Sequence, residues 1–264
     1  MQFHALQHDV VQDDYEATRI NIEKQIEQTT QEQGDFFVLQ EMTDTGWSMK
    51  LDKIAGIGTV EWACQLANRF GIWIQVGWAD FVDGRGKNCV SICSPEGKNV
   101  ATYTKVFTCN PLNESAYYDN GNELIVVDIG GCQVCPMICY DVRFPELWRP
   151  AGVEGVDVFT VSSSWPLPRI EHWRSLLIGR ALENQAFIVA SNRVGKDSLA
   201  TWGGLSLVVS PLGEILGEAC KTEEATISTT IDPHVARKGR NDFPVMDDVQ
   251  KELLGNINVR YIFA

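Results

Sequence analysis

The sequence changes from strand-like to helix-like within the stretch Val134-Cys135-Pro136-Met137-Ile138-Cys139-Tyr140-Asp141-Val142-Arg143-Phe144-Pro145-Glu146. An apolar run leads up to Cys139, and Pro145 favours the first turn of a helix just beyond it. A thiol on such a turn is expected to be exposed at the edge of a sheet, close to helix-terminal amides. Those amides and the helix dipole favour the thiolate, which is the reactive form of cysteine. The sequence therefore predicts that Cys139 is reactive rather than structural.

The composition narrows the class of protein. The 264 residues are 44% hydrophobic and 22% charged, which is ordinary for a soluble globular chain with a sizeable core. The net charge of −13 argues against nucleic acid and anionic membrane surfaces as partners. The first residues resemble no signal peptide, and no apolar run is long enough to cross a membrane. We expect a cytoplasmic protein with reduced cysteines.

Short β-rich segments alternate with helical ones and predict a single mixed α/β domain over residues 1–264, with a less regular tail after Asp232. The predicted strands lie near residues 36–40, 72–77, 89–93, 101–104, 124–127, 132–138, 156–162, 187–191, 205–210 and 225–231. The predicted helices cover residues 16–31, 59–70, 145–152 and 170–185.

Two charged residues follow predicted strands in the same way as Cys139. Glu41 comes just beyond the apolar run Phe36-Phe37-Val38-Leu39, and Lys105 directly follows Thr104. Ligands and catalytic groups gather at the carboxyl ends of strands in α/β sheets. There, a partly desolvated Glu41 could act as a general base, and Lys105 could stabilise an oxyanion together with the backbone N–H of Tyr140. Taken singly, each is more often an ordinary loop carboxylate or a solvated lysine.

Taken together, the motifs resemble the nitrilase (carbon–nitrogen hydrolase) superfamily, most closely its omega-amidase-like branch. The resemblance rests on Leu39-Gln40-Glu41-Met42, on Tyr103-Thr104-Lys105 and on the cysteine motif at residues 139–146, with support from residues 164–169, 172–173, 180–185 and 191–195. Gln40 departs from the pattern, because many members have proline before the glutamate.

The resemblance implies a four-layer α-β-β-α sandwich that is usually a homodimer, with no metal and no organic cofactor. It implies that Glu41 is the general base, Lys105 the electrostatic stabiliser and Cys139 the nucleophile that forms a thioester. Glu114, nine residues after Lys105, matches a second glutamate that helps to position substrate or proton.

The resemblance also implies a substrate class. The omega-amidase branch implies a small ω-amide of a dicarboxylic acid, such as 2-oxoglutaramate or succinamate, which is hydrolysed with release of ammonia. An N-carbamoyl amide, an aliphatic amide or a nitrile would use the same reacting groups, so these alternatives stay open. A non-catalytic binding or scaffold protein with the same fold is an alternative of another class.

Aromatic residues near the predicted strand ends are candidates for the substrate pocket. Tyr140 follows the nucleophile, and Trp165 follows the strand predicted at residues 156–162. Trp47 is a further candidate shortly after Glu41. Trp173 instead has the helical spacing of an ordinary core face.

A substrate with a distal carboxylate needs a cation in the pocket. Arg169 and Arg193 are candidates for it. Arg143 is expected to form a local ion pair instead, because Asp141 and Glu146 are close in sequence.

Other uses of histidine and cysteine remain open. His172 could pair with Cys139 as its base. Cys132 and Cys135 form a C-x-x-C pair, a spacing that also occurs in zinc and redox sites. Because both lie in one predicted strand, a spacing of three points their side chains to opposite faces, and we expect two buried thiols.

Overall fold

The computed structural model describes residues 1–29, 32–255 and 257–263, which form strands and helices in mixed order. The strands are β1 (Gln2–Gln7), β2 (Phe36–Val38), β3 (Trp73–Val82), β4 (Arg85–Cys93), β5 (Asn99–Thr104), β6 (Tyr118–Asp119), β7 (Glu123–Ile129), β8 (Cys132–Ile138), β9 (Val158–Ser163), β10 (Phe187–Asn192), β11 (Leu207–Val209), β12 (Ile215–Glu218), β13 (Ala225–Thr230) and β14 (Asn258–Phe263). The helices are α1 (Tyr15–Gln28), α2 (Leu51–Ile54), α3 (Thr59–Phe70), α4 (Pro145–Val153), α5 (Ile170–Asn184) and α6 (Pro233–Asp242).

The strands form two sheets that pack face to face. The first sheet has the order β13-β1-β2-β3-β4-β5, with β6 beside β4, and the second has the order β12-β11-β10-β9-β8-β7-β14. Strands β1–β3 run parallel in the first sheet, as do β8–β10 in the second. Buried side chains of both sheets, among them Phe36, Val90, Val127 and Val161, share one core. Such continuous apolar strands form where both faces of a parallel sheet are covered.

Helices cover the outer faces of both sheets. On the first sheet, Ile22 of α1 and Ala63 of α3 belong to a core cluster with Phe37 and Ile74. On the second sheet, α4 and α5 contact each other and the strands beneath them, and Trp148 of α4 is fully buried. The four-layer α-β-β-α sandwich predicted from the sequence is therefore confirmed. Among the described residues, no helix has the length and apolar character to cross a membrane.

The tail after Asp232 is more regular than the sequence analysis predicted. Asp232 caps α6 by accepting a hydrogen bond from the His234 N–H at 3.0 Å, and Pro233 occupies the first turn. Strand β14 then adds to the second sheet in parallel with β7. The partner of β14 lies far earlier in the chain, so local sequence could not reveal the pairing.

The remaining predicted boundaries differ from the structure by a few residues in most cases. The predicted strand at residues 205–210 is reduced to β11, and β3 and β4 extend beyond the predicted limits. Helix α1 ends at Gln28 rather than at residue 31, and Thr30 and Gln31 lie outside the described residues.

Candidate active site

Cys139 lies at the predicted strand-to-helix turn. Strand β8 ends at Ile138, a short 3₁₀ turn covers Cys139–Arg143, and α4 begins at Pro145. The backbone of Cys139 has φ +42°, a left-handed conformation that costs a non-glycine residue roughly 1–3 kcal/mol. A strained turn of this kind presents a nucleophile at the edge of a sheet.

The carboxylate of Asp141 holds this turn in place. It accepts hydrogen bonds from the Ile138 N–H at 3.1 Å, the Phe107 N–H at 2.9 Å and the Tyr103 hydroxyl at 2.8 Å. Burial raises the pKa of Asp141 to about 7. Because Tyr103 and Phe107 flank Lys105, these bonds tie the nucleophile's turn to the segment that carries the lysine.

Glu41 is positioned by close contact between its loop and β3. A Cβ atom at Gly77 would lie 2.5 Å from the Gln40 carbonyl oxygen, so only glycine allows this approach. The Thr43 N–H donates to the Gly77 carbonyl at 2.9 Å, and the Gly77 N–H donates to Thr43 Oγ1 at 3.0 Å. The buried Glu41 carboxylate accepts a further bond from the Ser164 N–H at 3.0 Å.

A buried cluster of charges surrounds Lys105. Its ammonium donates to Glu41 Oε1 at 2.9 Å and to both carboxylate oxygens of Glu114 at 2.9 and 3.0 Å. Asn88 Nδ2 bridges the carboxylates, donating to Glu41 at 2.7 Å and to Glu114 at 2.9 Å. The structure therefore brings the three predicted charged residues together at one point.

The four predicted catalytic residues differ in whether they line the pocket. Glu41, Lys105 and Cys139 line one pocket, and Glu114 is fully buried and does not line it. Glu114 instead contacts the lysine and accepts a bond from the Cys109 N–H at 2.6 Å. The second glutamate is thus in contact with Lys105 rather than exposed to a ligand.

The charges in the cluster support one another. Burial alone would lower the pKa of Lys105, but the negative charges of Glu114 and Glu41 outweigh it and hold the pKa well above its usual value. Burial would likewise raise the pKa of Glu114, but Lys105 outweighs it and lowers the pKa. Lys105 and Glu114 are therefore both ionised at neutral pH.

The expectation of an exposed thiolate at Cys139 is wrong. The residue is only 9% exposed, and burial, followed by the charge of Glu41, raises the pKa of its thiol well above the usual value. Lys105 acts in the opposite direction but does not compensate. The resting thiol is protonated and needs a base at the moment of attack.

The pocket that contains Cys139 is small and partly aromatic. It encloses about 250 Å³, less than the roughly 300–1,000 Å³ of pockets for drug-sized ligands. Trp47, Tyr140 and Trp165 line it, in agreement with the sequence analysis. Trp173 is fully buried, as predicted, and its ring centroid lies 5.5 Å from that of Trp165.

Of the two predicted cations, Arg169 lines the pocket and Arg193 does not. Arg193 is buried and ion-paired with Asp197 at 2.7 Å and Asp9 at 3.4 Å, so it is not available to a ligand. Arg169 lines the pocket from an exposed position. The half-buried Arg143 lines it too.

The predicted ion pair of Arg143 with Asp141 or Glu146 is wrong. Within residues 1–29, 32–255 and 257–263, no ion pair involves Arg143, because Asp141 is taken up by other donors. The Arg143 guanidinium instead lies 4.4 Å from the centroid of the Trp165 ring and 5.8 Å from that of Tyr140. Stacking on aromatic faces suits the planar guanidinium and leaves its N–H donors free along the edge.

The other uses of histidine and cysteine receive no geometric support. His172 lines the pocket from an exposed position, and across the described part of the chain no hydrogen bond joins it to Cys139. Cys132 and Cys135 are buried and free, as expected for core thiols, and burial raises the pKa of Cys132 to about 12.

Two residues of the site escaped the sequence analysis. Asn88 holds both carboxylates through its side chain, and its carbonyl also accepts the Lys105 N–H at 2.8 Å. The backbone of Ser164 orients Glu41. Asn88 lies in the middle of β4 without a motif around it, whereas Ser164 stands at a strand end and could have been inferred from that position.

The sandwich and its buried Glu–Lys–Cys pocket agree with the superfamily indicated by the motifs. Residues 5–241 match the family model described as carbon-nitrogen hydrolase, and the chain belongs to this family. It is a hydrolase that acts on carbon–nitrogen bonds.

Named relatives and solved structures are similar along most of the chain. The 2-oxoglutaramate amidase of Bacillus subtilis (strain 168) is 34% identical over 83% of this chain and 86% of its own length. Omega-amidase YafV of Escherichia coli (strain K12) is 30% identical over 82% of this chain and 85% of its own length. The structure of XC1258 from Xanthomonas campestris, a CN-hydrolase superfamily protein with an arsenic adduct in its active site, has a TM-score of 0.88 at 28% identity, covering 95% of this chain and 97% of that one.

Proposed function

We propose that this chain is a cysteine-dependent amidase that hydrolyses a small ω-amide of a dicarboxylic acid, such as 2-oxoglutaramate or succinamate, and releases ammonia. The proposal rests on one small pocket that holds Cys139, the Glu41–Lys105 pair and the guanidinium of Arg143, which forms no ion pair with the residues that the structure describes. The similarity to a 2-oxoglutaramate amidase and an omega-amidase supports the substrate class.

In the first half of the reaction, Glu41 takes the proton of the Cys139 thiol as the sulfur attacks the amide carbonyl. Lys105 Nζ and the Tyr140 N–H stabilise the oxyanion. The proton moves from Glu41 to the amide nitrogen, the C–N bond breaks, and ammonia leaves a thioester on Cys139. Negative charge passes from Glu41 to the substrate beside Lys105, so the charge close to the lysine is conserved through the step.

In the second half, Glu41 takes a proton from a water molecule that attacks the thioester. The C–S bond breaks, the carboxylic acid is released, and the proton returns to the sulfur of Cys139. One carboxylate serves in both directions, which the raised pKa of the thiol requires, because a protonated cysteine needs a base in each cycle.

We assign Glu114 a positioning role, because it contacts Lys105 rather than the pocket. The two carboxylates, which Asn88 holds in place, fix the ammonium group where the oxyanion forms. Such preorganisation stabilises a transition state without reorganisation at the moment of reaction.

The distal carboxylate of the substrate would bind to Arg143. A planar guanidinium can donate two parallel hydrogen bonds to a carboxylate. Arg169 is the alternative cation, but its exposed position would give a weaker, solvent-screened interaction.

The test is ammonia release from 2-oxoglutaramate and succinamate, compared with aliphatic amides, N-carbamoyl amino acids and nitriles. We expect turnover of the ω-amides, a loss of more than roughly 10³-fold in Cys139→Ala, and near-normal rates in the control Cys220→Ala, whose thiol is exposed and outside the pocket. Turnover of nitriles alone would refute the amidase assignment, and activity that survives in Cys139→Ala would refute the nucleophile. No turnover combined with a Cys139 that resists iodoacetamide would favour a binding or scaffold protein.

We further propose that residues 1–264 act as one domain and that the protein is cytoplasmic. We also propose that it is a homodimer. The eight free cysteines support a reducing compartment. Leu182 of α5, Leu212 and Phe243 are 50%, 72% and 71% exposed. Their segments lie close together, because Gly213 lies against the Leu182 side chain and Gln185 Nε2 donates to the Phe243 carbonyl. Exposed apolar side chains on neighbouring segments suit an interface between copies. Light scattering tests the homodimer: we expect wild type to be dimeric and Leu182→Glu to be monomeric. A monomeric wild type would refute the homodimer.

A further inference from the structure

A pair of cysteines lies in contact away from the catalytic pocket. Cys64 is in α3 and Cys93 ends β4, and their Sγ atoms are 2.6 Å apart. The two thiols are in direct contact and share a hydrogen bond. Neither residue lines the pocket of Cys139, so the mechanism uses neither thiol.

Both elements that carry the pair are fixed by further contacts. Asn68 Nδ2, one turn after Cys64, donates to the Pro95 carbonyl at 3.0 Å, which ties α3 to the turn that follows Cys93. Cys93 Sγ also lies 3.8 Å from the carbonyl oxygen of Val60 in α3. Contacts on both sides of the pair therefore hold α3 against the end of β4.

The two thiols differ in access and acidity. Cys64 is 8% exposed and lines a surface groove with Glu61, Asn68 and Glu96, whereas Cys93 is fully buried behind it. The hydrogen bond between them lowers the pKa of Cys64 and raises the pKa of Cys93. The thiol that lines the groove is thus the more acidic one, an arrangement that suits oxidation in two steps.

We propose that Cys64 and Cys93 are a redox modification site that forms an intramolecular disulfide with hydroperoxides. The Cys64 thiolate attacks a peroxide oxygen, which breaks the O–O bond and gives a sulfenic acid and hydroxide. The Cys93 sulfur then attacks the Cys64 sulfur and releases water. In total, two thiols and one hydrogen peroxide give one disulfide and two waters; each sulfur loses one electron and the peroxide gains two. This proposal stands whether or not the chain is an amidase.

The disulfide would link α3 to β4 across 29 residues. A cross-link of that span limits the unfolded chain, and we expect the melting temperature to rise by roughly 5–10 °C on oxidation.

Peptide mapping of the full chain tests the proposal directly. Trypsin places Cys64 in residues 54–69 and Cys93 in residues 88–98, together with Cys89. After brief treatment with equimolar hydrogen peroxide, in a Cys139→Ala background that removes the pocket thiol, we expect these two peptides to be joined and two thiols to be lost. Dithiothreitol should restore both thiols and the original melting temperature.

Matched variants identify the partners. The joined peptide should persist in Cys89→Ser and disappear in Cys93→Ser and Cys64→Ser, with circular dichroism confirming that each variant is folded. The proposal would be overturned if peroxide left the number of free thiols in the Cys139→Ala protein unchanged. A cross-link that survives in Cys93→Ser would overturn it too. Cross-linking only between chains, seen on a non-reducing gel, would overturn it as well.

Discussion

The side-chain amide of Asn88 donates a hydrogen bond of 2.7 Å to Glu41 Oε1. The same nitrogen donates to Glu114, so one neutral side chain fixes the spacing of two carboxylates on either side of Lys105. With the Ser164 N–H on its other oxygen, Glu41 has a single orientation in a buried site.

Replacing Asn88 should impair catalysis without removing a reacting group. We expect Asn88→Ala to lower kcat by roughly 10–100-fold with little change in KM, because the base loses its orientation rather than its charge. Steady-state ammonia release on the ω-amide measures both constants. Asn99→Ala, at an exposed position on β5, is the control and should behave as wild type. An unchanged kcat in Asn88→Ala would show that Glu41 is oriented by its other contacts.

The cluster around Lys105 should also affect stability. Lys105→Met leaves two buried carboxylates without their cation, and we expect the free energy of unfolding to fall by roughly 3–5 kcal/mol, with loss of activity. Adding Glu114→Gln removes one of the two charges and should restore at least roughly 1 kcal/mol of that loss. Urea unfolding of the single and double variants measures the coupling, and the exposed Lys87→Met is the control. If the stability changes of the two single variants simply add in the double variant, Lys105 and Glu114 do not stabilise each other.

Asp141 should make stability depend on pH. Burial raises its pKa from 3.8 to about 7 in the folded chain, so between these values the folded state binds the proton and the unfolded state does not. Stability should therefore fall as pH rises from about 4 to about 7, by up to roughly 4 kcal/mol from this group. Comparing the pH dependence of urea unfolding in wild type and Asp141→Asn isolates the effect. The same slope in both proteins would show that Asp141 is not its source.

Arg143 should determine selectivity for anionic substrates. We expect Arg143→Met to raise KM for 2-oxoglutaramate or succinamate by roughly 10–100-fold, because truncating a charge-assisted contact costs about 1.5–3 kcal/mol. KM for a neutral aliphatic amide should change by less than roughly threefold on the same grounds. Arg174→Met, which removes an exposed arginine paired with Glu218, is the control. Equal losses on both substrates would indicate damage to the pocket instead.

Gly77 should tolerate no side chain. The Cβ of Gly77→Ala would lie 2.5 Å from the Gln40 carbonyl and 2.7 Å from the Met42 nitrogen, which forces the loop of Glu41 away from β3. We expect the free energy of unfolding to fall by roughly 1–3 kcal/mol. We also expect the rate of ammonia release to fall, because Glu41 moves with its loop. Gly179→Ala on α5 meets no atom within 4 Å and should instead stabilise the helix by about 0.5–1 kcal/mol. Both changes are measurable by thermal unfolding and ammonia release, and a fully active Gly77→Ala would contradict the argument.

Most of the strands and helices, and the positions of the reacting groups along the chain, follow from the sequence alone, whereas β1, β14 and α6 do not. Apolar runs end just before Glu41 and Cys139, and Lys105 directly follows β5; these are local patterns that depend on neighbours along the chain. The family resemblance that implied the sandwich is also local, because each of its motifs spans a few consecutive residues.

The charge state of each side chain, and whether it is available to a ligand, depend on the tertiary structure. Burial keeps the Cys139 thiol protonated, although its turn had predicted a thiolate. Arg193 forms ion pairs with Asp197 and Asp9. The Arg143 guanidinium stacks on the Trp165 ring, although its sequence neighbours predicted an ion pair. Desolvation and ion pairing depend on which distant residues surround a group, and that information exists only once the two sheets have packed together.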